Sequence, residues 1–327
     1  MNESTMRAAV IDQLGKGPTY GETARPIAGP GQALVRVLAA ALNPVDLRLA
    51  TGGHQGVVPS VPYVPGSEGV GIVVVGAADL KGKRVRFQAG GSSGGGLAEW
   101  VTVDAATCLP LPDKLPEVTA AGLGVAGMAA WIPLVDKVQL QRGERVLILG
   151  ATGIVGQVAV QIAKLLGAGR IVAAGRNLQV LTHTLELGAD AVVAISGQNA
   201  DQLRDEFAAA ARGPLDVVFD PVWGLPLEAA LGAVGPSARI INVGQSAGDD
   251  ATLKSSIVRG RQLTIIGHTN PNTSWELRAQ AFRELADHAV AGRIRFATEE
   301  LPLSEIAKAW KRQAASPHVK LVLRPAP

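Results

Sequence analysis

Cysteine occurs once in this chain, at Cys108, which excludes an intrachain disulfide and any multi-cysteine zinc lobe and suits a reducing cytoplasm. A small buried apolar role is the expected one for that thiol. Aromatic residues are scarce, with five Trp, two Tyr and five Phe in 327 residues, so little of the core rests on rings. Excess charge of one sign is missing too. The 31 basic and 28 acidic residues leave +3, and no Lys/Arg run stands out, which argues against a nucleic-acid partner. No charged-then-apolar leader opens the chain; MNESTMRAAV reads as a short tail before a strand. The longest uncharged stretch, 118 to 135, is interrupted by Gly122, Gly124, Gly127 and Pro133, and it reads as buried structure rather than a membrane span. Glycine is plentiful, at 39 residues, and implies many tight turns and close backbone approaches.

The length suits two domains, and the sequence changes character near residue 117. Before it, short β segments (MRAAVID, ALVRVLAAAL, GVGIVVVG, RVRFQ, AEWVTVD) alternate with Gly/Pro punctuation. After it, apolar runs of strand length alternate with helical segments: RVLILG, RIVAAG, AVVAI, DVVFD, RIINVG and LTIIG. That alternation predicts a parallel sheet covered on both faces. Two amphipathic helices, about 274 to 291 and 303 to 315, and a strand VKLVL close the chain.

The segment RVLILGATGIVGQVAVQIAKLLGAG sets Gly150, Gly153 and Gly156 after a strand and at the start of an apolar helix. Gly150 permits the turn, Gly153 lets a pyrophosphate approach the backbone, and Gly156 lets helix and strand pack closely. The helix start, with the N–H groups of residues such as Ile154 and Val155, offers donors and positive dipole to phosphates. This predicts dinucleotide binding. Where an acidic residue ending the second strand would hold the ribose 2′-hydroxyl of NAD stands Arg176. An arginine suits a 2′-phosphate instead, so NADPH is the expected cofactor, with Asn177 as a neutral helper. A solvated arginine at a strand end is the alternative reading.

ALNPVDLRLATGG, VPGSEGVGIVVVG, AAGLGVAGMAAW, GATGIVG, LGAD and DVVFDPVWG together resemble the medium-chain dehydrogenase/reductase superfamily, in its zinc-free quinone oxidoreductase branch. The resemblance implies an α/β protein with a GroES-like β-rich catalytic domain, 1–117 with 269–327, and a Rossmann doubly wound parallel-sheet domain, 118–268. It also implies a nicotinamide in the cleft between them. Zinc relatives carry cysteine where Asn43 stands and histidine where Ser67 stands. Asn and Ser are poor zinc ligands, so no metal is expected, and Glu68 is read as a structural hydrogen-bonding group.

The same resemblance sets Asn43 and Asp46 on the cleft, Asn43 as donor to a substrate carbonyl and Asp46 orienting its neighbours, with purely structural roles open for both. His54 stands at a tyrosine position that resembles a substrate contact or proton donor; it is an acid near neutral pH or an exposed loop histidine. Tyr63 is the other nearby hydroxyl, a substrate contact or a packing residue. By the family pattern Gly127 and Thr152 lie near nicotinamide and pyrophosphate. Val243, Gly244 and Gln245 line the ribose, Asn270 sits in a covering loop, and Lys320 lies near the phosphates or in solvent. The expectation is a cytoplasmic, NADPH-dependent, zinc-independent reductase of quinones or small α,β-unsaturated carbonyls. A carrier-linked enoyl reductase or a low-turnover NADPH sensor is the alternative. A homodimer paired through the apolar edge strand LTIIG is expected, with no membrane or nucleic acid as partner.

Overall fold

A computed structural model describes residues 4–53, 56–90 and 94–326. The β segments of the first hundred residues become β1 (Thr5–Val10), β2 (Thr19–Ala24), β3 (Gln32–Ala41), β4 (Glu68–Val75), β5 (Arg84–Gln88), β6 (Trp100–Asp104) and β7 (Leu109–Pro110). One short helix, α1 (Pro44–Ala50), follows β3. It starts at Asn43, with Pro44 at its first turn and Asp46 reaching back to the Asn43 N–H, a capping box that satisfies donors a helix start leaves open. The sequence reading missed β2. Its TYGETA is polar and contains Gly21, and it forms a strand because it pairs antiparallel with β1 along its whole length.

Helix α2 (Glu117–Ile132) leads into an alternating run. The strands are β8 (Arg145–Ile148), β9 (Arg170–Gly175), β10 (Ala191–Ala194), β11 (Leu215–Asp220), β12 (Val234–Asn242) and β13 (Thr264–Gly267). Between and after them lie α3 (Ile154–Leu165), α4 (Leu178–Leu187), α5 (Ala200–Ala211), α6 (Gly224–Ala233), α7 (Ser255–Gly260) and α8 (Trp275–Val290). The chain ends with β14 (Thr298–Pro302), α9 (Ile306–Ala314) and β15 (Lys320–Arg324).

Two compact units result: Met1–Val125 with Ala297–Pro327, and Ala126–Phe296. The first holds a sheet ordered β14-β15-β3-β4-β5-β7, with β6 also on β3, over a core that includes Val35, Val37, Phe87, Leu321 and Leu323. The second holds six parallel strands ordered β10-β9-β8-β11-β12-β13. Counted within that unit the order is 3-2-1-4-5-6, that of a doubly wound dinucleotide-binding sheet. Its inner strands are apolar on both faces because helices cover both.

The junctions fall at 125/126 and 296/297 rather than 117/118 and 268/269. The second shift has a clear cause. His288 of α8 lies against Trp131 at 5.3 Å between ring centroids, and the backbone of Arg295 is held by Gln161 of α3 through bonds of 2.8 and 2.9 Å. Residues 269 to 296 therefore pack on the parallel-sheet unit.

The stretch Glu117–Lys137 is long and apolar enough to cross a membrane, but 78% of its apolar window is buried inside the protein, as in a core helix. Cys108 is buried, and burial pushes its thiol up to about 11, which makes it an inert packing residue.

Candidate functional site

In the parallel-sheet unit the glycine turn follows β8. Gly150 has φ +59°, a conformation that disfavours any side chain. A Cβ at Gly156 would meet Gly150 O at 2.5 Å and Ala151 Cα at 2.6 Å, so helix and turn pack with no room for one. Gly153, the residue before α3, differs: a Cβ there would touch only Gly150 O, at 3.5 Å. Nothing in the protein requires glycine at that point, and the bare backbone stands at the helix start with the N–H groups of Ile154 and Val155. Such a cradle fits a pyrophosphate. Thr152 is buried in the same turn, its methyl close under Gly175, and Gly127 is buried in α2.

The other expected cofactor residues stand at the carboxyl ends of neighbouring strands, where open parallel sheets bind ligands. Arg176 follows β9, exposed and without an ion pair among the described residues. Asn177 caps α4, its Oδ1 accepting from Val180 N at 3.2 Å, so its amide N–H groups are what it can still offer. Val243 follows β12, its N–H donating to Asp220 O at 2.8 Å. Gly244 lies against Pro221 O, and exposed Gln245 is bonded to Asp249. Asn270 follows β13 and shares a hydrogen bond of 3.0 Å with His268, whose imidazole is held below its usual value by burial.

Trp223 was not foreseen. It has φ +60° and ψ −164°, a conformation that costs any residue but glycine on the order of 1–3 kcal/mol. The buried Asp220 imposes it by accepting from the N–H groups of Val222 and Trp223 at 2.9 and 2.8 Å. The segment DPVWG contains this turn, but a sequence shows no dihedral angle, so the strain was invisible.

The first unit holds a second cluster. Glu68 is fully buried. Its Oε1 accepts from Asn43 Nδ2 at 3.1 Å, and its Oε2 accepts from Val125 N at 2.7 Å and Arg86 Nη2 at 3.3 Å. This is the backbone-bonding role expected of it. Gly124 makes the approach possible, since a Cβ there would lie 1.7 Å from Glu68 Oε2. Asn43 is 1% exposed. Its amide group is committed: Nδ2 donates to Ala41 O as well as Glu68, and Oδ1 accepts from Lys320 Nζ. That turns Asn43 from an expected donor to substrate into an interior connector. Lys320, expected near phosphates or in solvent, is 3% exposed and engaged with Asn43, while Asp46 ties Asn43 to Ser67.

Tyr63 is partly buried. Its hydroxyl is closed off from solvent with no partner among the described residues, and burial together with Asp46 pushes it up to about 12. It keeps its proton at neutral pH and has that hydrogen bond still to give. His54 lies outside the described residues.

Zinc does not fit this donor set. The amide and hydroxyl of Asn43 and Ser67 are engaged with neighbours, a lysine ammonium stands beside Asn43, and no group of three or more His, Cys, Asp or Glu suited to a metal occurs among the described residues.

Residues 29–113 match the family model described as alcohol dehydrogenase GroES-like domain, and residues 155–289 match that described as zinc-binding dehydrogenase. The chain is 29% identical over 333 residues to a phenolphthiocerol/phthiocerol polyketide synthase of Mycobacterium tuberculosis, covering 97% of this chain and 15% of that protein. It is 33% identical over 201 residues to the chloroplastic NADPH-dependent alkenal/one oxidoreductase of Arabidopsis thaliana, covering 58% of this chain and 50% of that one. Over 171 residues it is 33% identical to the quinone oxidoreductase of Pongo abelii, covering 50% and 51%. This chain thus spans a small part of the synthase and about half of each of the two oxidoreductases. The two matched domains and these relatives agree with the fold: the chain belongs to the medium-chain dehydrogenase/reductase superfamily, is quinone oxidoreductase-like, and joins a GroES-like domain to a Rossmann domain.

Proposed function

We propose that this chain is an NADPH-dependent reductase of quinones or small α,β-unsaturated carbonyl compounds, working without zinc. The observation that carries the cofactor assignment is Arg176, an exposed guanidinium at the carboxyl end of β9 where a 2′-phosphate would take charge-assisted bonds. The phosphate cradle at Gly150, Gly153 and Gly156 and the NADPH-dependent relative support it. NADPH, when bound, supplies the hydride.

The chain's own residues bind, orient and hold protons. Ile154 and Val155 N–H groups take the pyrophosphate, Val243 to Gln245 and Asn270 frame the ribose and nicotinamide, and Gly127 and Thr152 back them. Tyr63 Oη, shielded in the substrate-free chain, would have to be uncovered to donate to the oxygen of the substrate, where negative charge develops as hydride is accepted at the conjugated carbon. Asp46 and Asn43 keep the surrounding backbone in place. No Lewis acid is required, because a quinone or enone already carries an electron-poor carbon.

A carrier-linked enoyl reductase is the second reading. It rests on the polyketide synthase that matches 97% of this chain. Turnover of free enones and quinones together with inertness toward enoyl thioesters favours the first, and the reverse pattern favours the second. A cytoplasmic homodimer paired through β13 completes the proposal. That strand ends the parallel sheet and leaves Ile265 36% exposed, an open edge that a symmetry mate would cover.

A further inference from the structure

The metal position of zinc relatives corresponds here to a place beside Asn43, and the chain brings its own cation to it. In the antiparallel pairing of β15 with β3, Val322 lies opposite Ala41. The same register carried two residues further sets Lys320 opposite Asn43. The Lys320 ammonium donates to Asn43 Oδ1, and the Lys320 N–H is anchored to Ala297 O at 2.9 Å. A lysine this deeply buried requires counter-charge. Burial pulls the Lys320 ammonium below its usual value, and the charges of Glu68 and Asp46, both close by, oppose that shift. Glu68 is also paired with the buried Arg86. Two carboxylates and two cations therefore share one interior cluster, and their formal charges cancel.

We infer that the Lys320 ammonium is the resident cation of this site, organising Asn43, Glu68 and Asp46 as a metal ion would and keeping the position closed to one. Lys320 is then a positioning residue. A divalent ion would have to displace the ammonium, would find only oxygen donors already bonded to neighbours, and would leave the cluster with excess positive charge. This inference does not depend on the reduction chemistry, since its test reads stability, labelling and metal content.

The test uses the full chain. Lys320→Met should lower the thermal midpoint by about 10 °C, the order expected for uncoupling a buried charge cluster, whereas Lys320→Arg should lose less. In Lys320→Ala, ethylammonium should restore part of the loss and ethanol at equal concentration should not. Adding Glu68→Gln to Lys320→Met should recover stability relative to Lys320→Met alone, because one carboxylate leaves with the cation. The inference is overturned if Lys320→Met melts with the wild type, if ethanol rescues as well as ethylammonium, or if the wild-type chain takes up zinc stoichiometrically with a raised midpoint. Should the variants fail to fold, native acetylation decides. Lys320 should be labelled roughly tenfold or more slower than exposed Lys81 and Lys254, and equal labelling refutes the buried, engaged ammonium.

Discussion

Ser67 donates twice to one oxygen of Asp46, from its backbone N at 2.8 Å and from its Oγ at 2.5 Å, while Asn43 N holds the other oxygen at 2.8 Å. Asn43 and Ser67 are thus joined through one buried carboxylate. Asp46 ties the start of α1 to the start of β4, which sets where Glu68 points. The arrangement is an interior polar network, and such networks are stable only when every member is satisfied.

Burial pushes the Asp46 carboxyl up from 3.8 to about 6, against the hydrogen bonds of Ser67 and Asn43 and the charge of Lys320. Between those values the folded chain binds the proton more tightly than the unfolded one, so this contribution to stability falls as pH rises. On the order of 3 kcal/mol is present below about pH 4 and lost above about pH 6. Urea unfolding of wild type and Asp46→Asn from pH 4 to 7 measures it. The stability of wild type relative to the variant should drop across that window, and a pH-independent difference counts against it.

The glycine turn gives a sharper contrast. Gly156→Ala forces a Cβ to within 2.5 Å of backbone and should cost about 3 kcal/mol. Gly153→Ala meets nothing closer than 3.5 Å and should cost only about 1 kcal/mol, the loss of a glycine at the start of α3. The same Gly153→Ala change should weaken NADPH binding about tenfold or more, read by calorimetry. Unchanged affinity removes the pyrophosphate from that turn.

Arg176→Ala should raise the KM for NADPH by about 10–100-fold, the worth of lost charge-assisted bonds, and leave NADH nearly unaffected. Steady-state kinetics with both cofactors decides, and equal effects on the two remove the 2′-phosphate assignment.

Strand and helix periodicity showed the doubly wound sheet and the glycine turn clearly, because apolar runs and Gly spacing are local signals. What stayed hidden depends on long-range pairing. The partners of Asn43 lie 25 and 277 residues away, so a donor to substrate and an interior connector look alike in one dimension. Lys320 read as a charge near the cofactor phosphates or in solvent for the same reason; only the register of β15 against β3 sets it beside Asn43. The second domain junction shifted because Gln161 and Trp131 reach residues more than a hundred positions on, a contact that composition does not record.

Tyr63→Phe removes a closed-off hydroxyl without a partner among the described residues, so stability should stay level or rise. Turnover should fall about a hundredfold if that hydroxyl stabilises the substrate oxyanion. Equal kcat in wild type and variant excludes Tyr63 from the reaction.

Zinc-free reduction of quinones or enones by NADPH is read from stopped-flow oxidation of bound NADPH with a panel of quinones and simple enones in chelator-treated protein. Oxidation is expected with at least one acceptor of these classes, unaffected by the chelator and much slower with NADH. NADPH that binds and is oxidised by none of them, or turnover that chelation abolishes, would contradict it.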